Sequence, residues 1–189
     1  MTLKHPLGIP ERIDTDRLVI RQYRLKDAEA MHEAVTSRVE ELRPWMPWIK
    51  FEPQTVDQRR ELIRQWELDF KNGGNSNYAI FLHNGTFVGS SGLMTRQGPG
   101  ILEIGYWAAH EGNGYITEAV IAQTIVGLEL PDIDHIEIRV KPENVRSAKV
   151  PERAGYTNIG MVEASETEIE FGDDQPKECW VARPGYCPP

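Results

Sequence analysis

The order of the predicted elements favours an α+β fold, in which helices cover both faces of one mixed, mostly antiparallel sheet. A β-meander lies near the middle of the chain, and a strand–helix–strand unit follows it. Hairpins join antiparallel neighbours, whereas a helical crossover allows a parallel pair. The 189 residues suffice for one domain with a sizeable core. The predicted order is β-α-α-β-β-β-α-β-α-β-β.

The first half of the chain predicts one strand followed by two helices. β-Branched side chains mark the strand, and apolar residues at helical spacing mark the helices. Two prolines interrupt the segment between the helices and exclude regular structure there. Residues 1–13 are expected to form a loose arm. The predicted elements are a strand over 17–23, a helix from its cap Asp27 to about Arg38, an irregular segment over 42–48, and a helix from Thr55 to a turn at 72–75.

The second half predicts the meander and the crossover unit. Asn84-Gly85 is a strong type I′ hairpin signal. The run over 166–171 alternates in polarity, so we expect it to pair with a strand over 178–182. Residues 184–189 are expected to be a frayed tail. The remaining predicted elements are strands over 78–82, 87–93, 101–109, 133–140 and 156–162, a helix from about 115 that stops before Pro131, and a helix over 144–154.

Composition excludes several classes of protein. The formal net charge is −8, from 21 basic and 29 acidic side chains, whereas nucleic-acid binders usually carry a basic face. No stretch approaches about 18 consecutive apolar residues, and no signal-peptide core is present. The two cysteines, Cys179 and Cys187, are too few for a disulfide framework and lack metal-ligand spacing. We therefore expect a cytoplasmic protein of a single domain (1–189) that binds no metal, nucleic acid or membrane.

A glycine-containing turn at residues 111–117, here called the glycine turn, joins a predicted strand to a predicted helix. Its two glycines, Gly112 and Gly114, let the backbone approach a ligand closely. The first amides of the helix have no internal partner and lie at the positive end of its dipole, which suits a pyrophosphate. Alternatively, the glycines only allow a tight turn. The spacing matches neither the dinucleotide-binding nor the P-loop pattern.

Four motifs resemble, in order, those of the GNAT N-acetyltransferases, and more narrowly their RimJ/RimL-like branch. The segment that resembles the acyl-CoA signature of the family covers Glu103–Trp107 and Gly112–Ala119. The likeness extends over about residues 14–183. The other matching segments are Thr15–Arg21 in the first strand, the tryptophan-proline loop Leu42–Trp48, and Pro142–Val150 with the following Gly155-Tyr156 step.

The resemblance implies a sheet whose two central strands are splayed by a β-bulge, with acetyl-CoA as co-substrate between them. Pantetheine would pair with an exposed strand edge, and the pyrophosphate would lie on backbone amides of the glycine turn. Asn144 would hydrogen-bond the pantetheine. The residues implied to bind the cofactor are Trp107, Ala108 and Ala109 at the edge, Gly112, Asn113, Gly114, Tyr115, Ile116 and Thr117 in the turn, and Asn144.

The resemblance also implies catalytic residues. Glu103 would accept the proton of the acceptor amine, although it could equally be a structural carboxylate. Ser147 would donate to the departing thiolate, or else cap a helix. A backbone amide near Ala108 would hold the thioester oxygen. Trp45 and Trp48 would wall the acceptor pocket, or anchor their loop to the core.

Side-chain alternation and three departures from the family pattern qualify these assignments. Tyr106 and Trp107 should point to opposite faces of their strand, so only one of them is expected to face the cleft. Glu111 places a carboxylate near the pyrophosphate, and Ile116 places bulk there. Pro151 lies inside a predicted helix and should remove one backbone bond.

Two functions remain open from the sequence. The first is an N-acetyltransferase that moves an acetyl group from acetyl-CoA to a primary amine, by direct attack within a ternary complex. The acceptor would be a protein or peptide N-terminus or a small amine. The second is a non-catalytic domain that binds acyl-CoA. A homodimer is consistent with the resemblance.

Overall fold

The computed structural model describes residues 4–189, and these form eight strands and six α-helices. The strands are β1 (Arg12–Asp14), β2 (Leu18–Gln22), β3 (Ser76–Leu82), β4 (Phe87–Met94), β5 (Ile101–Ala108), β6 (His135–Val140), β7 (Thr157–Val162) and β8 (Lys177–Ala182). The helices are α1 (Ala28–Thr36), α2 (Val39–Leu42), α3 (Val56–Lys71), α4 (Tyr115–Leu128), α5 (Val145–Arg153) and α6 (Glu166–Glu170).

All eight strands form one sheet in the order β1-β2-β3-β4-β5-β6-β8-β7. Every neighbouring pair is antiparallel except β5 and β6, which are parallel because α4 connects them. Helices α4 and α5 pack on one face, while α1 and α3 contact strands β3 and β4 on the other. The two faces have separate apolar cores, so the predicted mixed fold with helices on both faces is confirmed.

Strands β5 and β6 separate after three paired residues. Their ladder joins Ile101–Glu103 to His135–Glu137 and ends there, although both strands continue. Strand β5 stays paired with β4 as far as Ala108. The rest of β5 therefore keeps an open edge on the side of β6.

The β-bulge closest to this opening lies one strand away. The register between β3 and β4 shifts at Ile80/Phe81, because these consecutive residues face Gly89 and Phe87. Val88 is the additional residue of β4, and its carbonyl accepts the amide of Ala109 at 3.0 Å. The bulge thus anchors the end of β5 to β4 at the place where β5 leaves β6.

Both chain ends are more ordered than the sequence predicts. Within the described part of the arm, Ile9 and His5 are buried, and His5 Nε2 lies 2.9 Å from the carbonyl of Gly74. Residues 12–14 form β1, whereas residues 1–3 lie outside the described part of the chain. In the tail, the ring of Tyr186 packs against Tyr156 at 6.0 Å. Apolar contacts, which local composition does not reveal, hold both ends.

The predicted strand over 166–171 is wrong, because this segment forms helix α6 and β8 pairs with β7 instead. Ser165 caps α6: its hydroxyl lies 3.4 Å from the amide of Glu168, and the Glu168 carboxylate accepts the Ser165 amide at 2.8 Å. This capping box starts a helix. Glu168 is 4% exposed and forms ion pairs with Lys177 and Arg139, so its position in the alternating pattern reflects an internal charge network.

Two predictions between β2 and α3 also need correction. Asp27 does not cap α1, because its carboxylate binds the Arg21 guanidinium at 2.6 Å and the Arg24 amide at 2.7 Å. The proline-containing segment is not entirely irregular, since Pro47 begins a short 3₁₀ helix that ends at Phe51. Proline is tolerated there because the first helical amide needs no partner.

Candidate active site

A cavity of about 630 Å³ lies where β5 and β6 separate. The open end of β5 and the glycine turn form one wall, and α5 forms another. The segment from Arg38 to Met46 closes the third side. The same opening that interrupts the sheet therefore creates a concave site, the usual setting for a ligand.

The glycine turn presents free space and free amides to this cavity. Gly112 and Gly114 have positive φ angles of 86° and 73°, which other residues rarely adopt. A Cβ atom at Gly112 would meet nothing within 4 Å, and at Gly114 it would approach only Arg17 Nη2, at 3.7 Å. Helix α4 begins at Tyr115, so its first amides have no partner within the helix. The turn therefore has the shape and the donors that a diphosphate requires.

Arg17 and Glu118 brace the glycine turn from outside. Arg17 Nη1 donates to the carbonyl of Asn113 at 3.1 Å, and Arg17 Nε donates to Glu118 at 2.6 Å. Thr15 adds a hydroxyl bond of 2.5 Å to Glu118. Partial burial tends to raise the pKa of Glu118, but the bonds from Thr15 and Arg17 outweigh it and lower the pKa. Glu118 therefore stays ionised and locks the turn to the start of β2.

Glu111 is neutralised by two arginines from opposite sides of the cavity. Its carboxylate pairs with Arg38, which precedes α2, and with Arg146 in the first turn of α5. Ile116 is 8% exposed and belongs to the core beneath α4, so most of its bulk points away from the space beside the glycines. Neither departure from the family pattern obstructs the glycine turn. The carboxylate of Glu111 does, however, pair with two arginine side chains at the edge of the turn.

The open edge of β5 carries both a free amide and a tethered carbonyl. The amide of Ala109 is directed to β4, and neighbouring residues of a strand direct their amides to opposite edges. The amide of Ala108 therefore faces the opening. Arg38 Nη1 donates to the carbonyls of Ala108 and Ala109, at 2.8 and 3.1 Å. This arginine connects the strand edge to the carboxylate of Glu111.

Ser147 and Asn144 meet at the start of α5, in the cavity wall. Asn144 is the helix cap, because its side-chain oxygen accepts the Ser147 amide at 3.1 Å. The alternative in which Ser147 caps this helix is therefore wrong. The Ser147 hydroxyl instead lies 3.2 Å from Oη of Tyr106, on the neighbouring strand β5.

Tyr106 and Trp107 both line the cavity, although only one of them was expected to face it. They do point to opposite faces: Tyr106 packs against the core under α4, and Trp107 belongs to the core under α1 and α3. Because the cavity passes through the gap between β5 and β6, it reaches both faces of the sheet. The alternation of side chains keeps one of two neighbouring residues away from a cavity only where the sheet is continuous.

Glu103 lies outside the cavity, at the last rung before the strands separate. Its side chain is 4% exposed, and its carboxylate forms an ion pair with Arg96 and accepts the Gln97 amide at 2.6 Å. A carboxylate occupied in this way has no contact with the cavity. The geometry fits the structural alternative for Glu103 rather than the role of proton acceptor.

The two loop tryptophans have different positions. Trp45 and the neighbouring Met46 line the cavity, as expected for an acceptor wall. Trp48 does not line it, and its ring packs against Trp107 at 6.1 Å between centroids. Trp48 therefore anchors the loop, while Trp45 is the tryptophan available to a ligand.

Most of the predicted site residues come together in this cavity. Those that line it are Trp45, Trp107, Ala108, Gly112, Gly114, Tyr115, Ile116, Thr117, Asn144 and Ser147. Those that do not are Glu103, Trp48, Ala109 and Asn113. Lining residues that sequence reasoning did not assign include Arg38, Tyr106, His110, Arg146, Lys149 and Arg153. The spacing of the three α5 cations, at 146, 149 and 153, places them on one helix face and was the available signal.

Comparison with known proteins agrees with this geometry. Residues 17–157 match the family model described as "Acetyltransferase (GNAT) domain". The chain belongs to the GNAT acetyltransferase family. A Bacillus subtilis (strain 168) relative, "Putative ribosomal N-acetyltransferase YdaF", is 30% identical over 149 residues, which are 77% of this chain and 80% of that protein. The expected GNAT family is thereby confirmed.

Solved structures share the fold of this GNAT acetyltransferase at low sequence identity. The microcin C7 self-immunity acetyltransferase MccE, in complex with acetyl-CoA and AMP, has a TM-score of 0.78 at 19% identity, with 89% of this chain and 93% of that chain covered. Mycobacterium smegmatis RimJ, in complex with CoA-disulfide, has a TM-score of 0.75 at 20% identity, with 96% of this chain and 90% of that chain covered. These likenesses confirm the predicted GNAT fold. No helix in residues 4–189 has the length and apolar character to cross a membrane.

Proposed function

We propose that this protein transfers an acetyl group from acetyl-CoA to a primary amine, in a ternary complex formed in the cavity between β5 and β6. The observation that carries the proposal is the shared lining of that cavity. The glycine turn, the open edge of β5 and the start of α5 all border one continuous space. A long ligand with a diphosphate at one end and a thioester at the other fits this arrangement.

The charge of the lining supports an anionic co-substrate. The chain as a whole has a net charge of −8, yet the cations of the cavity outnumber its carboxylates. The cations are Arg38, Arg146, Lys149 and Arg153, and the carboxylates are Glu41 and Glu111. A local cationic surface raises the concentration of phosphate-bearing ligands near the cavity, even on a protein of negative net charge.

The residues present suit each part of acetyl-CoA. The amides of the glycine turn would bind the diphosphate, and the free amide of Ala108 would bind the thioester oxygen as negative charge develops on it. Ser147 would donate a hydrogen bond to the departing sulfur. Asn144 keeps its side-chain NH₂ group for the pantetheine, because only its oxygen is used in capping.

The chemistry requires a neutral amine, so the ammonium form of the acceptor must lose a proton before attack. Glu103 is too enclosed to receive that proton directly. We therefore assign the proton to water in the cavity. The nitrogen–carbon bond forms and the carbon–sulfur bond breaks. The nitrogen then loses its second proton, which passes through water to the departing sulfur, while the first proton is released to solvent.

The descriptions of the relatives, rather than the cavity, support a choice between acceptor classes. A relative at 30% identity is described as a ribosomal N-acetyltransferase, which favours the N-terminus of a protein. Such an acceptor would be modified in the cytoplasm. Trp45 and Met46 would border the entering N-terminus. A small amine remains the second candidate, because MccE, a fold neighbour, is described as an immunity protein against a microcin.

Release of free thiol tests the proposal. The protein is mixed with acetyl-CoA and peptides that begin with Ser, Ala or Met, and in parallel with spermidine and an aminoglycoside. We expect thiol release that requires both enzyme and amine, and stabilisation of the protein by about 2.7 kcal/mol at a hundredfold excess of CoA over its Kd. Stabilisation without turnover on any acceptor would favour the non-catalytic domain. Absence of both would overturn the proposal.

A further inference from the structure

Pro151 leaves one carbonyl of α5 without its helical donor. In a regular helix the amide of residue 151 would donate to the carbonyl of residue 147, four positions earlier. Proline has no amide hydrogen, and its ring crowds that same carbonyl. Pro151 lies inside α5 and is buried, so the gap in the hydrogen-bond ladder falls within the helix rather than at its end. The affected carbonyl belongs to Ser147, the residue implied to face the departing sulfur.

Tyr106 supplies the missing donor from strand β5. Its hydroxyl donates to the carbonyl of Ser147 at 2.9 Å. The Ser147 hydroxyl in turn lies 3.2 Å from Tyr106 Oη and donates to it, since the single phenol hydrogen is already used. Two bonds therefore connect one side chain of β5 to both the backbone and the side chain of Ser147. Burial raises the pKa of Tyr106, so the phenol stays protonated and remains a donor.

We propose that Tyr106 is a positioning residue for the transfer reaction, and that Pro151 enables this role by releasing the Ser147 carbonyl. The two hydrogen bonds between Tyr106 and Ser147, here called the tether, join the two walls of the cavity, β5 and α5. It sets the distance between the Ser147 hydroxyl and the strand edge that would carry the thioester. The inference rests on the proposed function, and specifically on Ser147 as the hydrogen-bond donor to the sulfur.

The tether predicts that two unrelated substitutions have the same catalytic effect. Tyr106→Phe removes the hydroxyl that makes both bonds. Pro151→Ala restores a helical donor to the Ser147 carbonyl and relieves the crowding, so that carbonyl returns to the helix and leaves Tyr106. The first variant loses a buried bond, whereas the second regains a regular helix. Their stabilities should therefore move in opposite directions while their activities fall together.

A double-mutant cycle on the full chain tests this. With the best acceptor from the thiol assay, we expect each single variant to lower kcat by about tenfold, with the KM for acetyl-CoA within about twofold of the wild type. We expect Pro151→Ala to melt at a higher temperature than the wild type. The double variant should be no slower than either single variant, because both remove the same tether. Tyr78→Phe is the matched control, since Tyr78 also donates to a carbonyl, that of Pro10 at 2.6 Å, but does not line the cavity.

The outcomes separate this inference from the proposed function. Wild-type kcat in Tyr106→Phe, or additive losses in the double variant, would overturn the inference and leave acetyl transfer intact. Equal losses in the Tyr78→Phe control would also overturn it. Failure of the wild-type protein to bind CoA, or binding without turnover, would refute the proposed function and the inference together.

Discussion

Arg38 and Glu111 form a salt bridge at the edge of the cavity, and the same guanidinium holds the carbonyl of Ala108 at 2.8 Å. Arg146 pairs with the other oxygen of Glu111 from across the cavity. A carboxylate of the protein itself thus occupies two cations that an incoming diphosphate would also attract. Because two arginines neutralise its charge, an acidic residue can stand in the glycine turn of a protein that binds an anion.

The competition predicts that Glu111→Gln binds CoA more tightly than the wild type. The amide keeps the size of the side chain but frees Arg38 and Arg146, so we expect a decrease in Kd of about threefold to tenfold. Calorimetric titration with CoA measures it. Glu40→Gln is the control for the change in net charge, because Glu40 pairs with Arg43 on an exposed surface away from the cavity. Weaker binding by Glu111→Gln would show that its carboxylate helps rather than competes.

Gly114→Asp should abolish CoA binding. The new side chain would enter the space beside the first amides of α4, and its charge would repel the diphosphate. The positive φ of 73° also adds backbone strain, which must be separated from the effect on the site. Gly85→Asp provides that control, because Gly85 has a φ of 88°, has open space around it and lies in the β3–β4 hairpin. Both variants should lose similar stability, and Gly85→Asp should bind CoA as the wild type does.

Glu103→Gln should act on stability rather than on chemistry. The substitution leaves the Arg96 guanidinium without its buried partner, so we expect a loss of about 2–3 kcal/mol in the free energy of unfolding. Denaturant titration measures this loss. At a temperature where the variant is folded, kcat and its pH profile should match those of the wild type. A shifted pH profile with unchanged stability would restore Glu103 as the proton acceptor.

The charge network under α6 predicts an acid-sensitive fold. Although burial alone would raise the pKa of Glu168, the bonds from Lys177 and Ser165 lower it to about 2. A lowered pKa means that the folded state binds this proton less readily than the unfolded state. Its contribution is complete above the ordinary carboxyl range and is lost as the pH falls toward 2. Glu168→Gln should therefore be less stable at pH 7 and should lose less stability on acidification to pH 3.

The contrast between α6 and the glycine turn shows what the sequence can predict. Gly112 and Gly114 act through local backbone geometry, so their spacing was sufficient to place a turn that ends in a helix. Glu168 also acts locally, in a capping box with Ser165, but alternation of charged and uncharged residues hid that signal. The alternation predicts a strand and the capping box predicts a helix, and the helix forms with the carboxylate of Glu168 buried.

The sequence predicted site residues only where the functional groups lie close together along the chain. The opening of β5 came from a family resemblance, because nothing in the residues themselves indicates where a strand leaves its neighbour. The family resemblance gave Glu103 a catalytic role, but the enclosure of its carboxylate by Arg96 depends on the fold of a loop. The link between Tyr106 and Ser147 joins residues 41 apart, so no local pattern could reveal it.

Amide chemical-shift changes during titration with CoA test the central claim most directly. We expect the largest changes at Ala108 and at the amides of residues 112–117, with smaller changes at Asn144 and Ser147. Gly85 and β1 should be unaffected. Changes confined to another surface, or no saturable change at the glycine turn, would contradict the placement of coenzyme A between β5 and β6.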